Sequence, residues 1–166
     1  MLTIDETVVD APVDVCFRTG ADVENWPNIL PHYRWVTFQR KDAFGTGLIE
    51  MAARRPFGPL QYPVWWVSEM KLNEEAPTVL YRHVEGITTG MDVVWSFRDI
   101  GDGKTAVKIV HDWSTGPRWP LPLSLRKLIA NLVIGPIFIH HVASRTLRGI
   151  KAKAESMNSE EERGSR

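Results

Sequence analysis

The stretch that decides the fold is "DAPVDVCFRTGADVENWPNIL", residues 10–30, which follows a first alternating segment at residues 1–10. Asp10 can cap a helix, and Pro12 suits a first helical turn. The apolar residues that follow recur at helical spacing: Val13, Cys16 and Phe17. Gly20 ends this segment, and residues 22–30 form a second one. The stretch therefore predicts two short helices after a first strand.

Beyond these helices the hydrophobic period falls toward two, which predicts β-strands. The predicted strands span residues 32–41, 46–55, 61–73, 78–86, 90–100 and 104–114. Short breaks containing Gly, Pro, Asn or Asp separate them, so consecutive strands should pair antiparallel.

The C-terminal part of the chain is helical in pattern. Gly135-Pro136 should interrupt or kink a first helical segment, and a long helix should then run from Pro136 to about Met157. Its inward face is predicted to carry Ile139, Ala143, Leu147, Ile150 and Ala154. Residues 1–157 are expected to form one α+β domain, a curved antiparallel sheet of about seven strands around the long helix, and residues 158–166 a polar, disordered tail.

Composition excludes some classes of function. The chain has 166 residues, and 20 Lys and Arg balance 20 Asp and Glu, so no global field recruits nucleic acid. Cys16 is the single cysteine and is expected to be a buried thiol. The N-terminus lacks the order of a signal peptide, which favours a cytoplasmic location.

Two motifs resemble those of the START-like superfamily, also called SRPBCC or helix-grip proteins. The first is a turn and helix start at Ala11, Pro12, Val15 and Phe17, and the second comprises Trp26, Pro27, Ile29 and Leu30. The closing part, residues 135–155, looks like the C-terminal helix of this superfamily. The nearest resemblance is to its polyketide cyclase/aromatase and coenzyme-Q-binding branches. The resemblance implies a helix-grip fold with an internal cavity, and it carries over no catalytic motif.

Strand alternation predicts which side chains face that cavity. The predicted lining, with two residues of the long helix added, comprises Tyr62, Val64, Trp66, Met91, Val93, Trp95, Phe97, Ile109, His111, Trp113, His140 and Ala143. Residues 46–55 are ambiguous: Ile49, Met51 and Ala53 facing inward is the apolar choice, and Glu50 facing inward is the polar alternative. On residues 78–86 two alternatives stay open: Leu80, Arg82 and Val84 face inward, or Val79, Tyr81 and His83 do.

Three polar residues are candidates for catalysis. His111 is one, because an imidazole with a pKa near ~6.5 can orient a carbonyl or move a proton. Tyr33 is another, because it occupies the place where similar aromatase/cyclases have a cavity tyrosine. Those relatives also resemble one another in an arginine early in the fourth strand, where this chain has Tyr62. Arg82 is the candidate to replace that cation if it faces inward.

No metal or cofactor is expected. His140 and His141 look like a metal pair, but neighbouring residues of a helix point about 100° apart and cannot share one ion. Residues 116–135 combine apolar residues with Arg118, Arg126 and Lys127. This segment is either a lid over the cavity or a helix that contacts membrane transiently.

The function predicted from these features is binding of a hydrophobic small molecule, such as an aromatic, polyketide, quinone or lipid-like compound. The first alternative is a polyketide cyclase/aromatase that uses cavity Tyr, His and Arg side chains for acid–base steps. The second is a toxin-like or regulatory module acting on a macromolecule.

Overall fold

A computed structural model describes residues 1–57, 60–117 and 120–164 of the chain. The seven strands are β1 (Leu2–Val9), β2 (Tyr33–Lys41), β3 (Gly47–Phe57), β4 (Leu60–Asn73), β5 (Thr78–Gly86), β6 (Asp92–Gly101) and β7 (Lys104–Asp112). The helices are α1 (Val13–Ala21), α2 (Trp26–Ile29), α3 (Leu123–Ile129) and α4 (His140–Gly164). A 3₁₀ turn precedes α2. The predicted α+β helix-grip fold, with two short helices after the first strand, is confirmed.

The strands form one antiparallel sheet in the order β1-β7-β6-β5-β4-β3-β2. Each strand from β2 to β7 pairs with its neighbour in sequence, as the short turns predict. β1 pairs with β7 along its whole length, from Leu2 opposite Asp112 to Val9 opposite Thr105. Because β1 and β2 lie at opposite edges, the segment that carries α1 and α2 has to cross from one edge of the sheet to the other.

Helix α4 packs against β1 and α1 with the apolar face that its sequence predicts. The predicted inward residues are all buried: Ile139, Ala143, Leu147, Ile150 and Ala154. At Gly149 the helix comes so close to α2 that an added Cβ would overlap the Leu30 side chain. Cys16 is fully buried in α1, as predicted, and burial raises the pKa of its thiol.

The end of α4 corrects the predicted tail. The helix continues to Gly164, so residues 158–164 are helical instead of disordered, and residues 165–166 lie outside the described part. Contacts with the N-terminal part of the chain explain the extension. The amide of Asn158 donates to the carbonyl of Asp10 at 3.4 Å, and Glu161 lies 3.8 Å from the Arg18 guanidinium.

The predicted interruption at Gly135-Pro136 is present, because a π-helical segment, Ala130–Ile139, separates the regular α-helices α3 and α4. The long α-helix therefore begins at His140 and not, as predicted, at Pro136. Pro136 has no N–H to donate, so a regular α-helix cannot continue unchanged through it. Of the residues placed in the predicted lid or membrane segment, Arg118 and Trp119 lie outside the described residues. Leu125, Leu128 and Leu132 are exposed.

Candidate ligand-binding cavity

A cavity lies between the inner face of the sheet and the first turns of α4. Its lining comprises Trp26, Tyr33, Met51, Trp66, Tyr81, His83, Thr88, Met91, Val93, Trp95, Ile109, His111, Ile139, Val142, Ala143 and Thr146. Tyr33, His83, Thr88, His111 and Val142 are half-buried, which places the mouth of the cavity among them. The volume is about 70 Å³. This is less than the roughly 300–1,000 Å³ of typical sites for drug-sized ligands.

Aromatic rings in mutual contact form one wall of the cavity. The Trp26 ring lies 5.1 Å from the Tyr33 ring and 5.4 Å from the Trp95 ring, measured between centroids. Trp66 stacks on the His83 imidazole at 5.8 Å with an angle of 18° between the planes. Aromatic pairs at these separations contribute about 0.5–1.5 kcal/mol beyond their buried area. The wall is therefore a rigid apolar surface suited to a flat ligand.

Polar groups are set into this apolar lining. The Nδ1 atom of His83 lies 2.6 Å from the Thr88 hydroxyl, which orients the imidazole at the mouth. The Nδ1 atom of His111 lies 3.4 Å from the Thr3 hydroxyl of the neighbouring strand. In α4, the Thr146 hydroxyl donates to the carbonyl of Val142 and lies 3.0 Å from Nε2 of His32. These contacts hold two imidazoles and a hydroxyl at the cavity surface.

Most of the predicted lining residues lie at the cavity. The predicted residues that the structure brings to the cavity are Tyr33, Trp66, Met91, Val93, Trp95, Ile109, His111 and Ala143. Of the two alternatives for β5, the second is observed, because Val79 and Tyr81 are buried whereas Leu80 and Arg82 are exposed. A register shift between Val67 and Ser68 keeps His83 opposite Ser68 on the adjacent strand.

Two predicted residues of β4 do not line the cavity. Tyr62 is exposed, and Val64 is half-buried and packs against the core. The reason is the length of the β3–β4 hairpin. β4 pairs with β3 from Leu60 onward, but with β5 only from Trp66 onward. The first part of β4 therefore extends beyond the region in which both of its edges are paired.

Two predicted aromatic residues are buried away from the cavity. Phe97 packs edge-on against Phe17 of α1 at 5.6 Å, and its ring fills the space above Gly20. Trp113 follows β7, and its indole N–H donates to the carbonyl of Thr89 at 3.1 Å. Both rings are structural, and Trp113 holds the β5–β6 turn that carries Thr88.

The structure also places two further candidates outside the cavity. Arg82 lies on the outer face and pairs with Asp92 of β6 through two contacts of 2.7 and 2.8 Å. It therefore cannot replace the arginine of the similar cyclases. His140 is exposed and contacts the carboxylate of Asp5, because it points about 100° away from its buried neighbour Ile139.

Several lining residues were missed by the prediction. Trp26, which belongs to the second motif of the START-like resemblance, lines the cavity although it is not in the predicted lining. Val142 follows the predicted Ile139 by three residues, and Thr146 follows the predicted Ala143 by three, so helical spacing could have identified both. Thr88 lies in a turn, where alternation gives no signal.

Asp5 is the buried carboxyl beside this site, and it provides a test of the packing of β1 on α4. Burial raises the pKa of Asp5 above its usual value, and contacts with His140 and Ser144 partly oppose the increase. Asp10, at the end of the same strand, has a lowered pKa because Lys104 donates to its carboxylate and attracts it.

The two carboxyls should affect stability with opposite pH dependence. A raised folded-state pKa stabilises the fold below the unfolded pKa, and this contribution is lost as pH rises through the folded pKa. As pH rises above about 4, the ordinary pKa of an Asp side chain, the Tm of Asp5→Asn should therefore rise relative to wild type. For the control Asp10→Asn, the Tm should fall relative to wild type as pH rises toward about 4 from below. Thermal unfolding across this range measures both, and parallel slopes would contradict the assignment.

Two absences apply to the described residues. In residues 1–57, 60–117 and 120–164, no group of three or more His, Cys, Asp or Glu is arranged to hold a metal ion. None of the helices in these ranges combines the length and apolar character needed to cross a bilayer.

An antiparallel sheet around a C-terminal helix, with an aromatic cavity between them, defines a START-like, helix-grip protein. The solved structure of the Zhui aromatase/cyclase from Streptomyces sp. R1128 has the same fold. It shows a TM-score of 0.73 at 16% identity, over 93% of each chain. A START superfamily protein from Mycobacterium smegmatis shows a TM-score of 0.67 at 13% identity, over 96% of this chain and 97% of its own.

Similarity in amino-acid sequence shows which family within this fold the chain belongs to. A putative polyketide cyclase of Streptomyces cyaneus is 29% identical over 122 residues, which are 72% of this chain and 76% of the relative. The family model described as polyketide cyclase / dehydrase and lipid transport matches residues 9–137. The chain belongs to this family.

Proposed function

We propose that this chain binds a hydrophobic, fused-ring or polyketide-type small molecule in the cavity between the sheet and α4. The observation that carries the proposal is the contiguous aromatic wall formed by Trp26, Tyr33, Trp66 and Trp95. A lining that is mostly apolar, with a few polar groups that fix orientation, is typical of small-molecule sites. The names of the family and of its similar members point to the same class of ligand.

Entry of such a ligand requires the cavity to widen. At about 70 Å³ the present space is too small for three fused rings. Thr88 is half-buried and lines the cavity from the turn between β5 and β6, outside the aromatic wall. Displacement of this turn would open the cavity while the buried rings of Trp26 and Trp95 stay in place.

Blocking the mouth tests the proposal. The probe is 1,8-dihydroxyanthraquinone, whose binding is followed by quenching of tryptophan fluorescence. Thr88→Trp places a large ring at the mouth and should weaken binding about tenfold or more, a loss of about 1.4 kcal/mol. Ile87→Trp is the matched control. Ile87 is exposed and lies outside the cavity lining, so this substitution adds the same fluorophore without blocking the mouth. Its affinity should equal that of wild type.

The control also defines the result that contradicts the proposal. Equal affinities of the two variants would place the binding site elsewhere, and no saturable quenching of wild type would reject a fused-ring ligand. Thermal unfolding of both variants verifies that each is folded.

A second candidate function is cyclisation of a poly-β-ketone chain. The observation that favours it is the presence of an imidazole, His111, and two phenols, Tyr33 and Tyr81, in the same apolar lining. Cyclisation by aldol chemistry requires removal of a proton next to one carbonyl and donation of a proton to the oxygen of another. His111 would accept the first proton, and Tyr33 would donate the second.

A further inference from the structure

Two buried polar atoms of the cavity have no hydrogen-bond partner among the described residues. They are the hydroxyl of Tyr81 and the indole Nε1 of Trp26. Tyr81 is 6% exposed and Trp26 is 2% exposed, so bulk water does not solvate either group. Native proteins satisfy about 90% or more of such buried groups, and an unsatisfied one costs about 1–3 kcal/mol. Two in one cavity therefore indicate that something else completes them.

Both residues line the same cavity. Tyr81 comes from the middle of β5, and Trp26 comes from the first position of α2. Tyr33 lies beside both: its ring is 5.1 Å from the Trp26 ring, and its charge in the ionised form helps to raise the pKa of Tyr81. Both side chains border the one cavity space that Tyr33 also lines.

The chemistry of the two groups specifies their partner. An indole N–H can only donate a hydrogen bond. Burial raises the pKa of the Tyr81 phenol well above its usual value, so this group keeps its proton and can also donate. The described residues of the lining include no Lys or Arg to balance an ionised carboxylate. The complement of this pair is therefore a neutral oxygen acceptor.

We infer that the Tyr81 hydroxyl and the Trp26 indole N–H together bind a carbonyl oxygen of the ligand, so that the site selects ketones or quinones over hydrocarbons of the same shape. This inference rests on the proposed function, because it assigns an orientation to the ligand within that cavity. In a bound poly-β-ketone or quinone, the pair holds one oxygen, and the remaining rings lie along the aromatic wall.

The test uses a matched pair of probes that differ in one carbonyl, 1-tetralone and tetralin. Wild type should bind 1-tetralone more tightly than tetralin. In Tyr81→Phe, the affinity for 1-tetralone should fall about 3- to 10-fold, as expected for loss of one hydrogen bond. The affinity for tetralin should not change. The Tm of the free variant should equal or exceed that of wild type, because the removed hydroxyl has no partner to lose.

Infrared spectroscopy reads the carbonyl directly. The C=O stretch of bound 1-tetralone should lie at a lower frequency in wild type than in Tyr81→Phe, and Trp26→Phe should shift it in the same direction as Tyr81→Phe. An equal loss of affinity for both probes, or the same stretch in wild type and Tyr81→Phe, would overturn the donor pair and leave the proposed function standing. No binding of either probe or of 1,8-dihydroxyanthraquinone to wild type would overturn both.

Discussion

Gly86→Ala should lower the free energy of unfolding by about 2–5 kcal/mol, because the new side chain meets both an unfavourable backbone conformation and a backbone clash. Gly86 has a φ of +92°, which costs any other residue about 1–2 kcal/mol. A Cβ at this position would also lie 2.5 Å from the carbonyl oxygen of Trp65 and 2.8 Å from the Cα of Trp66. Because both are backbone atoms, they cannot move aside without disturbing the β4–β5 pairing.

Gly101→Ala is the matched control for this prediction. Gly101 has nearly the same φ, +87°, but its Cβ would meet nothing within 4 Å. The free energy of unfolding of Gly101→Ala should therefore fall only by the cost of the positive φ, about 1–2 kcal/mol. Urea unfolding of the two variants measures the difference. Equal losses of unfolding free energy in the two variants would show that the contact of the new Cβ with the backbone of Trp65 and Trp66 does not destabilise Gly86→Ala.

The Gly86 variant has a consequence for the cavity as well. Gly86 lies opposite Trp66 in the β4–β5 register, and Trp66 stacks on His83 in the cavity wall. Displacement of β5 would separate these two rings. The fraction of Gly86→Ala that remains folded should therefore bind 1,8-dihydroxyanthraquinone more weakly than Gly101→Ala does.

His111→Ala should lower the rate of ring closure on a linear poly-β-ketone by about 10²–10⁴-fold if the chain is a cyclase, the range typical of a lost general base. His111 lines the cavity at the end of β7, and the Thr3 hydroxyl holds its Nδ1 atom. Its removal leaves the aromatic wall intact. The affinity for 1,8-dihydroxyanthraquinone should therefore change little, which separates catalysis from binding.

His141→Ala is the control, because His141 is exposed on α4 outside the cavity lining. The assay supplies the poly-β-ketone from a polyketide synthase and compares cyclised product with the products of spontaneous closure. A His111→Ala variant that retains the wild-type rate would exclude His111 as the base. Product distributions that are identical with and without wild-type protein would exclude cyclisation and leave the binding proposal.

The sequence predicted the inner faces of β6 and β7 correctly because these strands have paired neighbours on both sides. Along such strands, alternation of apolar residues reports burial directly, as with Val93, Trp95 and Ile109. The same rule failed for Tyr62, because the end of the β3–β4 hairpin projects beyond β5. Alternation gives the face of a residue, but it does not tell how far the opposing layer extends.

The sequence by itself determined the class of fold, since local patterns specify two short helices, a run of antiparallel strands and a long apolar helix face. Only the tertiary structure decided the composition of the site. Trp26, Tyr81 and Thr146 come from α2, β5 and α4, and they meet because the sheet curves around α4. Hydrophobic periodicity depends on residues close together along the chain. The Tyr81 hydroxyl and the Trp26 indole N–H, in contrast, line one cavity because the fold brings together segments that are far apart in sequence.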